Sequence, residues 1–209
     1  MKNVGLILEG GGMRGIYTTG VLDAFIDADL YFPYTIGVSA GACNASSYIS
    51  KQKGRNKKIY LDYSRDPRYI GYKNLITKKS LFGMDFIFDE LPNNLVPFDF
   101  DTFNSSESRF MIVATNCKTG KPVYFEKGKD KDILTAMRAS SSLPFLSPMV
   151  EYEDMLLLDG GIADSIPIHK SIEDGFDKNV IVLTRNRGYK KPPFKHTFLL
   201  KKFYWKYPH

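Results

Sequence analysis

Strand-like and helix-like segments alternate along most of this chain, and that alternation narrows the fold more than any other feature. VGLILE (residues 4–9) is a short apolar run that breaks on glycines, and the helix expected after it carries Val21, Leu22, Phe25 and Ile26 on one stripe. YTIGVS (34–39) reads as a second strand and leads into a small-residue helix, AGACNASSYI (40–49). RFMIVATN (109–116) and PVYFE (122–126) are strands joined by a hairpin-like CKTGK. DKDILTAMRASSS (130–142) is helical and is closed by Leu143-Pro144. DMLLLDGG (154–161) is a strand running into a turn, PIHKSIEDGF (167–176) a helix with Pro167 near its start and Gly175 near its end, and NVIVLTR (179–185) a last buried strand. The pattern predicts an α/β domain with a mostly parallel central sheet and helices on both faces, a three-layer arrangement.

The 209 residues suffice for one domain, so residues 1–209 are read as a single unit. Residues 53–108 interrupt the rhythm, being rich in Tyr, Phe, Lys and Asp with weak periodicity. They are expected to form a cap or insertion, or else an ordinary peripheral helical layer. LFGMDFIFDELP (81–92) reads as a helix presenting Leu81, Phe82, Phe86 and Phe88. The apolar run VGLIL is too short for a signal peptide, whose core needs about 7–15 residues, and no stretch approaches the ~20 apolar residues of a membrane span. Cys43 and Cys117 have neither metal-like nor disulfide-framework spacing. A cytoplasmic protein, at most peripheral to a membrane, is the expectation.

Charge is unevenly placed. From Arg185 to His209 there are eight Lys/Arg and no Asp/Glu, leaving 21 basic and 23 acidic residues in the body, so the net +6 belongs to the tail. Residues 186–209 form a basic, aromatic tail that reads either as a membrane-surface segment, with aromatics at the interface, or as the start of a longer C-terminal region supplying its acidic partners. Without a basic stripe on the body, nucleic acid is not an expected partner.

Two motifs carry chemistry. Gly10, Gly12 and Gly15 satisfy G-x-G-x-x-G after a strand, the pattern of a dinucleotide-binding turn, yet the same glycines can present backbone N–H groups to another ligand. A dinucleotide site wants an acidic residue closing the second strand; here that strand ends in GVSAG, Gly37 to Gly41, and Asp27 and Asp29 precede it. GVSAG is G-x-S-x-G between a strand and a helix, a turn that lifts Ser39 off the sheet and aims a helix N-terminus at the site. Read alone, it is also a strand-to-helix turn with a capping serine.

A serine nucleophile needs a base. Of three histidines, His196 and His209 lie in the tail. His169 follows Ser39 and Asp159 in α/β-hydrolase order, but only ten residues after the acid, where those enzymes use a longer connection. Asp159 is the stronger candidate, because LLLDGG sets a carboxylate at the end of an apolar strand, beside Gly160 and Gly161. In a parallel sheet, carboxyl strand ends line the ligand edge, and the Gly10–Gly15 turn, Ser39 and Asp159 are all expected there. Cys43 is expected to be a small core residue, and Glu9 and Asp164 to orient loops.

Together, GGGMRG, GVSAG and the DGG 120 positions after Ser39 resemble the patatin-like phospholipases, as do MRASSSLPFLSP (137–148) and ADSIPIHKSIEDG (163–175). Residues 66–92 resemble a bacterial branch of that family, and the likeness spans roughly residues 4–185. The resemblance implies a lipid acyl hydrolase with a Ser39–Asp159 dyad, needing no metal or cofactor. It implies an oxyanion hole in the glycine turn, for which the N–H groups of Gly11, Gly12 and Met13 are the expected donors, with Arg14 supporting the loop. Position 9 is Glu where plant members carry Asp, and DGG stands where many have DGA. The competing expectations are a nucleotide-binding protein using Gly10, Gly12 and Gly15, and a non-catalytic member of the family. Ester position, acyl length and oligomeric state are left open by the sequence.

Overall fold

The computed structural model describes residues 3–190 and 204–207. Seven strands form one mixed sheet. They are β1 (Val4–Leu8), β2 (Tyr34–Val38), β3 (Arg109–Asn116), β4 (Pro122–Glu126), β5 (Val150–Tyr152), β6 (Met155–Asp159) and β7 (Lys178–Val182). Their order is β5-β6-β3-β2-β1-β7, with β4 also paired to β3. The run β7-β1-β2-β3 is parallel, while β4 and β6 pair antiparallel with β3 and β5 pairs antiparallel with β6.

Strand alternation assigns the two faces. Leu6, Leu8, Phe110, Ile112 and Ala114 point to one side, where α1 (Gly15–Asp27), α2 (Ala40–Ile49), α5 (Phe100–Ser105) and α6 (Ile133–Ser140) bury Leu22, Ala42, Ala45, Phe103, Ala136 and Met137 against them. Ile7, Ile36, Val38, Met111 and Val113 point to the other, covered by Ile166, Phe176 and Ile168 of α7 (Ile168–Glu173). This is the expected three-layer α/β fold.

Three expectations need correction. NVIVLTR is not a buried strand: β7 closes the sheet at an edge, and of its five residues only Val182 is buried. LFGMDFIFDELP does not form one helix from its start, because Phe82 pairs with Ile70 in an isolated bridge. The helix that follows is wound wide, in π form, over Phe86–Leu95. Pro92 lies inside it and has no N–H to donate, so the regular i→i−4 ladder cannot run through that point. Finally, β6 delivers Asp159 from an antiparallel strand, not from the carboxyl edge of a parallel one.

Residues 53–108 hold α3 (Arg55–Lys58), which runs on into a π turn at Ile59–Tyr63, α4 (Tyr72–Lys78), the Phe86–Leu95 helix and α5. Phe86, Leu91 and Val96 form a small core of their own there, with Ile59, Tyr63 and Tyr69 packed on it. Among the described residues, no helix is long and apolar enough to cross a membrane.

Candidate active site

Ser39 sits between the last residue of β2 and the first of α2, at φ 54° and ψ −125°. An L-residue adopts that conformation only when its surroundings impose it. The glycines on either side show how. A side chain on Gly37 would meet the main chain of Ala42 and Gly41 at 2.7–2.8 Å, and one on Gly41 would strike the Leu8 carbonyl. Without these two glycines, α2 could not start so close to the ends of β1 and β2. The Ser39 N–H donates to Ser140 Oγ at 2.8 Å, which ties the turn to the end of α6.

Asp159 reaches the same level by a different route. β6 enters from the carboxyl edge of β3, runs backwards and stops with Asp159 opposite Ala114. Val113, one residue earlier on β3, is opposite Val38. Val113 and Ala114 also pair with β4, which holds the other edge of β3, so β2 and β6 share one edge and stop facing each other there, with Ser39 and Asp159 at the junction. Ser39 is 7% exposed and Asp159 3%. The Asp159 carboxylate is fixed by the Gly161 N–H, which donates to Oδ1 at 2.7 Å. Its main chain is fixed twice: its N–H donates to the Ser142 carbonyl at 2.8 Å, and its own carbonyl accepts from Thr115 Oγ1 at 2.8 Å. Gly160 allows the close pass, since a side chain there would strike the Val113 carbonyl.

The glycine-rich turn adjoins Ser39. A side chain on Gly10 would lie 3.2 Å from Ser39 Cβ. Gly12–Arg14 form one tight 3₁₀ turn, in which the Arg14 N–H donates to the Gly11 carbonyl at 3.1 Å. Arg14 thus supports the loop through its main chain; its side chain is exposed. The N–H groups of Gly11, Gly12 and Met13 make no hydrogen bond among the described residues. Glu9 accepts from the Thr184 N–H at 2.5 Å, and Thr184 Oγ1 donates to the Gly10 carbonyl at 2.7 Å, pinning the turn to the end of β7. From the other side, Asn44 Nδ2 donates to the Gly15 carbonyl at 2.9 Å and Tyr60 OH to the Gly12 carbonyl at 3.3 Å. Asp164, further off, accepts from Tyr124 OH at 2.8 Å.

Ser39, Gly12 and Met13 open on a pocket of about 130 Å³ walled by α2 and by residues 53–108, among them Ile59, Tyr69, Met84, Phe88 and Leu91, with Met137 and Leu143 opposite. Cys43, one turn beyond Ser39, lines it too, and burial pushes its thiol up to about 11, with the Asp159 charge adding to the rise. Arg55 is the cation of the wall. Its guanidinium donates to Pro97 O, Val96 O and Ser47 Oγ, all neutral, and burial lowers it to about 10. His169 is exposed on α7 and does not line the pocket. No cluster that could hold a metal ion is present among the described residues.

Asn44, Tyr60, Ser140 and Ser142 were not legible as site residues. Their partners lie from 17 to 101 positions away in sequence, and only the serine-rich run at 140–142 hinted at a role.

The fold and the site define an α/β protein with a serine turn, an aspartate turn and a glycine turn gathered beside one apolar pocket. The chain belongs to the patatin-like phospholipase family, whose sequence model matches residues 6–172. It is 33% identical over 187 residues to the Uncharacterized protein YjjU of Escherichia coli K12, an alignment covering 87% of this chain and 52% of YjjU. It is 28% identical over 176 residues to the Lysophospholipase nte1 of Aspergillus terreus, covering 80% of this chain and 11% of that protein. Among solved structures, VipD from Legionella pneumophila shares the fold, with a TM-score of 0.51 at 16% identity over 80% of this chain and 47% of VipD. The chain thus spans about half the length of YjjU and of VipD.

Proposed function

We propose that this protein is a serine carboxylic-ester hydrolase acting on lipids, with Ser39 as nucleophile, Asp159 as its base and the glycine turn as oxyanion hole. The observation that carries the reading is the strained Ser39 turn, which opens on an apolar pocket and lies level with a buried, hydrogen-bonded Asp159. Ser39 Oγ attacks the ester carbonyl carbon while its proton passes to Asp159. The carbonyl oxygen becomes an oxyanion facing the N–H groups of Gly11, Gly12 and Met13, each such donor being worth about 3 kcal/mol in the transition state. Collapse expels the alcohol, which takes the proton from Asp159, and leaves an acyl-serine. Water, deprotonated by Asp159, then attacks the acyl carbon and releases the fatty acid and free Ser39.

The pocket favours a single acyl chain. Its 130 Å³ is close to the ~150 Å³ that holds one benzene ring, room for a segment of one chain rather than two. The similarity to a protein named lysophospholipase agrees with that size. The apolar wall also speaks against the dinucleotide alternative, which needs polar partners for its sugars.

Covalent labelling with a lipid-like fluorophosphonate, read by intact mass, tests the proposal. Wild type is expected to take one label and Ser39→Ala none. Asp159→Asn should label more slowly by about 10²–10⁴, the usual range for a lost general base. A folded wild type that resists the probe, or an Asp159→Asn variant labelled at the wild-type rate, overturns the dyad.

A further inference from the structure

The three most exposed large apolar or aromatic side chains among the described residues are Ile76 at 82%, Tyr72 at 81% and Trp205 at 70%. Tyr72 and Ile76 lie on α4 with Leu75, at i, i+3 and i+4, and so form one stripe. The opposite face of α4 is the anchored one: Asn74 Nδ2 donates to the carbonyls of Pro67 and Arg68 at 3.1 and 3.2 Å. The stripe therefore points away from the protein. Nothing in the fold needs it, because an apolar side chain left in water adds no burial to stability and costs solubility.

The segment that carries the stripe holds charges of one sign, although Arg68 at its start is paired with Asp66 and Glu90. Between Asp66 and Asp85 the chain holds Arg68, Lys73, Lys78 and Lys79 and no acid. Lys78 is paired with Asp85 at 2.8 Å, whereas Lys73 and Lys79 make no ion pair among the described residues. Helix electrostatics do not account for Lys73, which stands in the first turn, where the macrodipole disfavours a cation.

Tyr204, beside Trp205, is tied to the segment just past α4 through one short loop. The Phe145 N–H donates to Tyr204 OH at 3.0 Å, and the two rings meet edge to face at 5.2 Å. Leu146, the next residue, accepts from the Leu81 N–H at 2.7 Å and from Ser80 Oγ at 3.2 Å, just past α4. Leu143 in that loop, and Tyr69 and Phe82 on either side of α4, line the Ser39 pocket. Tyr69 is three residues from Tyr72, so the stripe starts within about 11 Å of the pocket wall.

We infer that Tyr72, Leu75, Ile76 and Trp205, flanked by Lys73, Lys79 and Lys206, form the surface by which the protein sits on an anionic phospholipid bilayer, with the wall of the Ser39 pocket held against the lipid. A short amphipathic helix with lysines beside its apolar stripe and an aromatic neighbour has the composition of an interfacial element. This rests on the hydrolase reading for its purpose, though not for its chemistry.

Vesicles of diether phosphatidylcholine with a minority of diether phosphatidylglycerol test it, since they hold no carboxylic ester to cleave. Wild type is expected to float with these vesicles, to bind weakly to pure phosphatidylcholine, and to be released by high salt. Trp205 is the single tryptophan of the chain, so its emission should shift to the blue on binding. Tyr72→Asp with Ile76→Asp, and separately Lys73→Gln with Lys79→Gln, should each weaken binding about tenfold or more. Their thermal unfolding and their turnover of a short water-soluble ester should match wild type. Failure of wild type to bind anionic vesicles, or binding by the aspartate variant equal to wild type, overturns the inference. So does wild-type self-association that the aspartate variant loses, which would assign the stripe to a second copy of the chain. Loss of soluble-ester turnover in wild type would instead sink the hydrolase reading and leave the vesicle result standing.

Discussion

At Ser39, glycine should be tolerated better than at an ordinary buried position. The conformation at φ 54° and ψ −125° costs an L-residue about 1–3 kcal/mol and glycine almost nothing. Ser39→Ala removes the hydroxyl but keeps the Cβ and so the strain, while Ser39→Gly removes both. Against the relief stand two losses: the greater freedom of glycine in the unfolded chain, about 0.4–1 kcal/mol, and one buried carbon, about 0.8 kcal/mol, because Ser39 is only 7% exposed. Mid-range values leave Ser39→Gly about 0.5 kcal/mol more stable than Ser39→Ala. Ala42, fully buried inside α2, serves as the reference. Ala42→Gly has no strain to relieve and should lose about 1.5–2 kcal/mol. The gap between the two sites, about 2 kcal/mol, corresponds to about 4–8 °C in melting temperature for a domain of this size. Urea unfolding of wild type and the three variants measures it. If Ser39→Gly falls below Ser39→Ala by about 1.5 kcal/mol, the penalty an unstrained site would show, the turn stores no strain and the reasoning fails.

Two further outcomes follow from buried titratable groups. Asp174 accepts hydrogen bonds from Lys170 at 2.8 Å, Tyr34 at 2.8 Å and Arg109 at 3.0 Å. Burial works to raise its pKa, but the bonds from Lys170 and Tyr34 and the charge of Arg109 outweigh it and hold the carboxyl below its ordinary range. Its contribution is complete above the unfolded value of about 3.9 and is lost as pH falls through the lower folded value. Asp174→Asn should therefore lose less melting temperature than wild type between about pH 6 and about pH 3; an equal drop in both would refute the assignment. Both thiols, Cys43 and Cys117, are pushed up by burial to about 11. At mildly alkaline pH the folded protein should react with a disulfide reagent about two orders of magnitude more slowly than the urea-unfolded chain, and a rapid native reaction would contradict that burial.

What the sequence determined by itself is local. GVSAG predicts a strand-to-helix turn that lifts its serine off the sheet, because two missing side chains are what such a turn requires, and the structure places Gly37 and Gly41 against the backbone as that logic demands. The apolar runs identified six of the seven strands; β5, three residues long, is too short to show a period. The amphipathic stripe of α1 and the small-residue start of α2 were readable for the same reason, since each depends on neighbours three or four positions away.

Only the tertiary structure decided direction and partnership. Whether LLLD runs parallel or antiparallel to β3 cannot be read from LLLD, because an apolar run pairs either way, yet that direction is what brings Asp159 level with Ser39. The exposure of β7 depends on its being last in the sheet order, a property of the whole chain. The π winding at Phe86–Leu95, the Ser140 oxygen behind Ser39, and the tie of Tyr204 to the segment just past α4 through one loop all join residues far apart in sequence. Sequence periodicity reports which face of an element is apolar; only packing chooses which other element that face will meet.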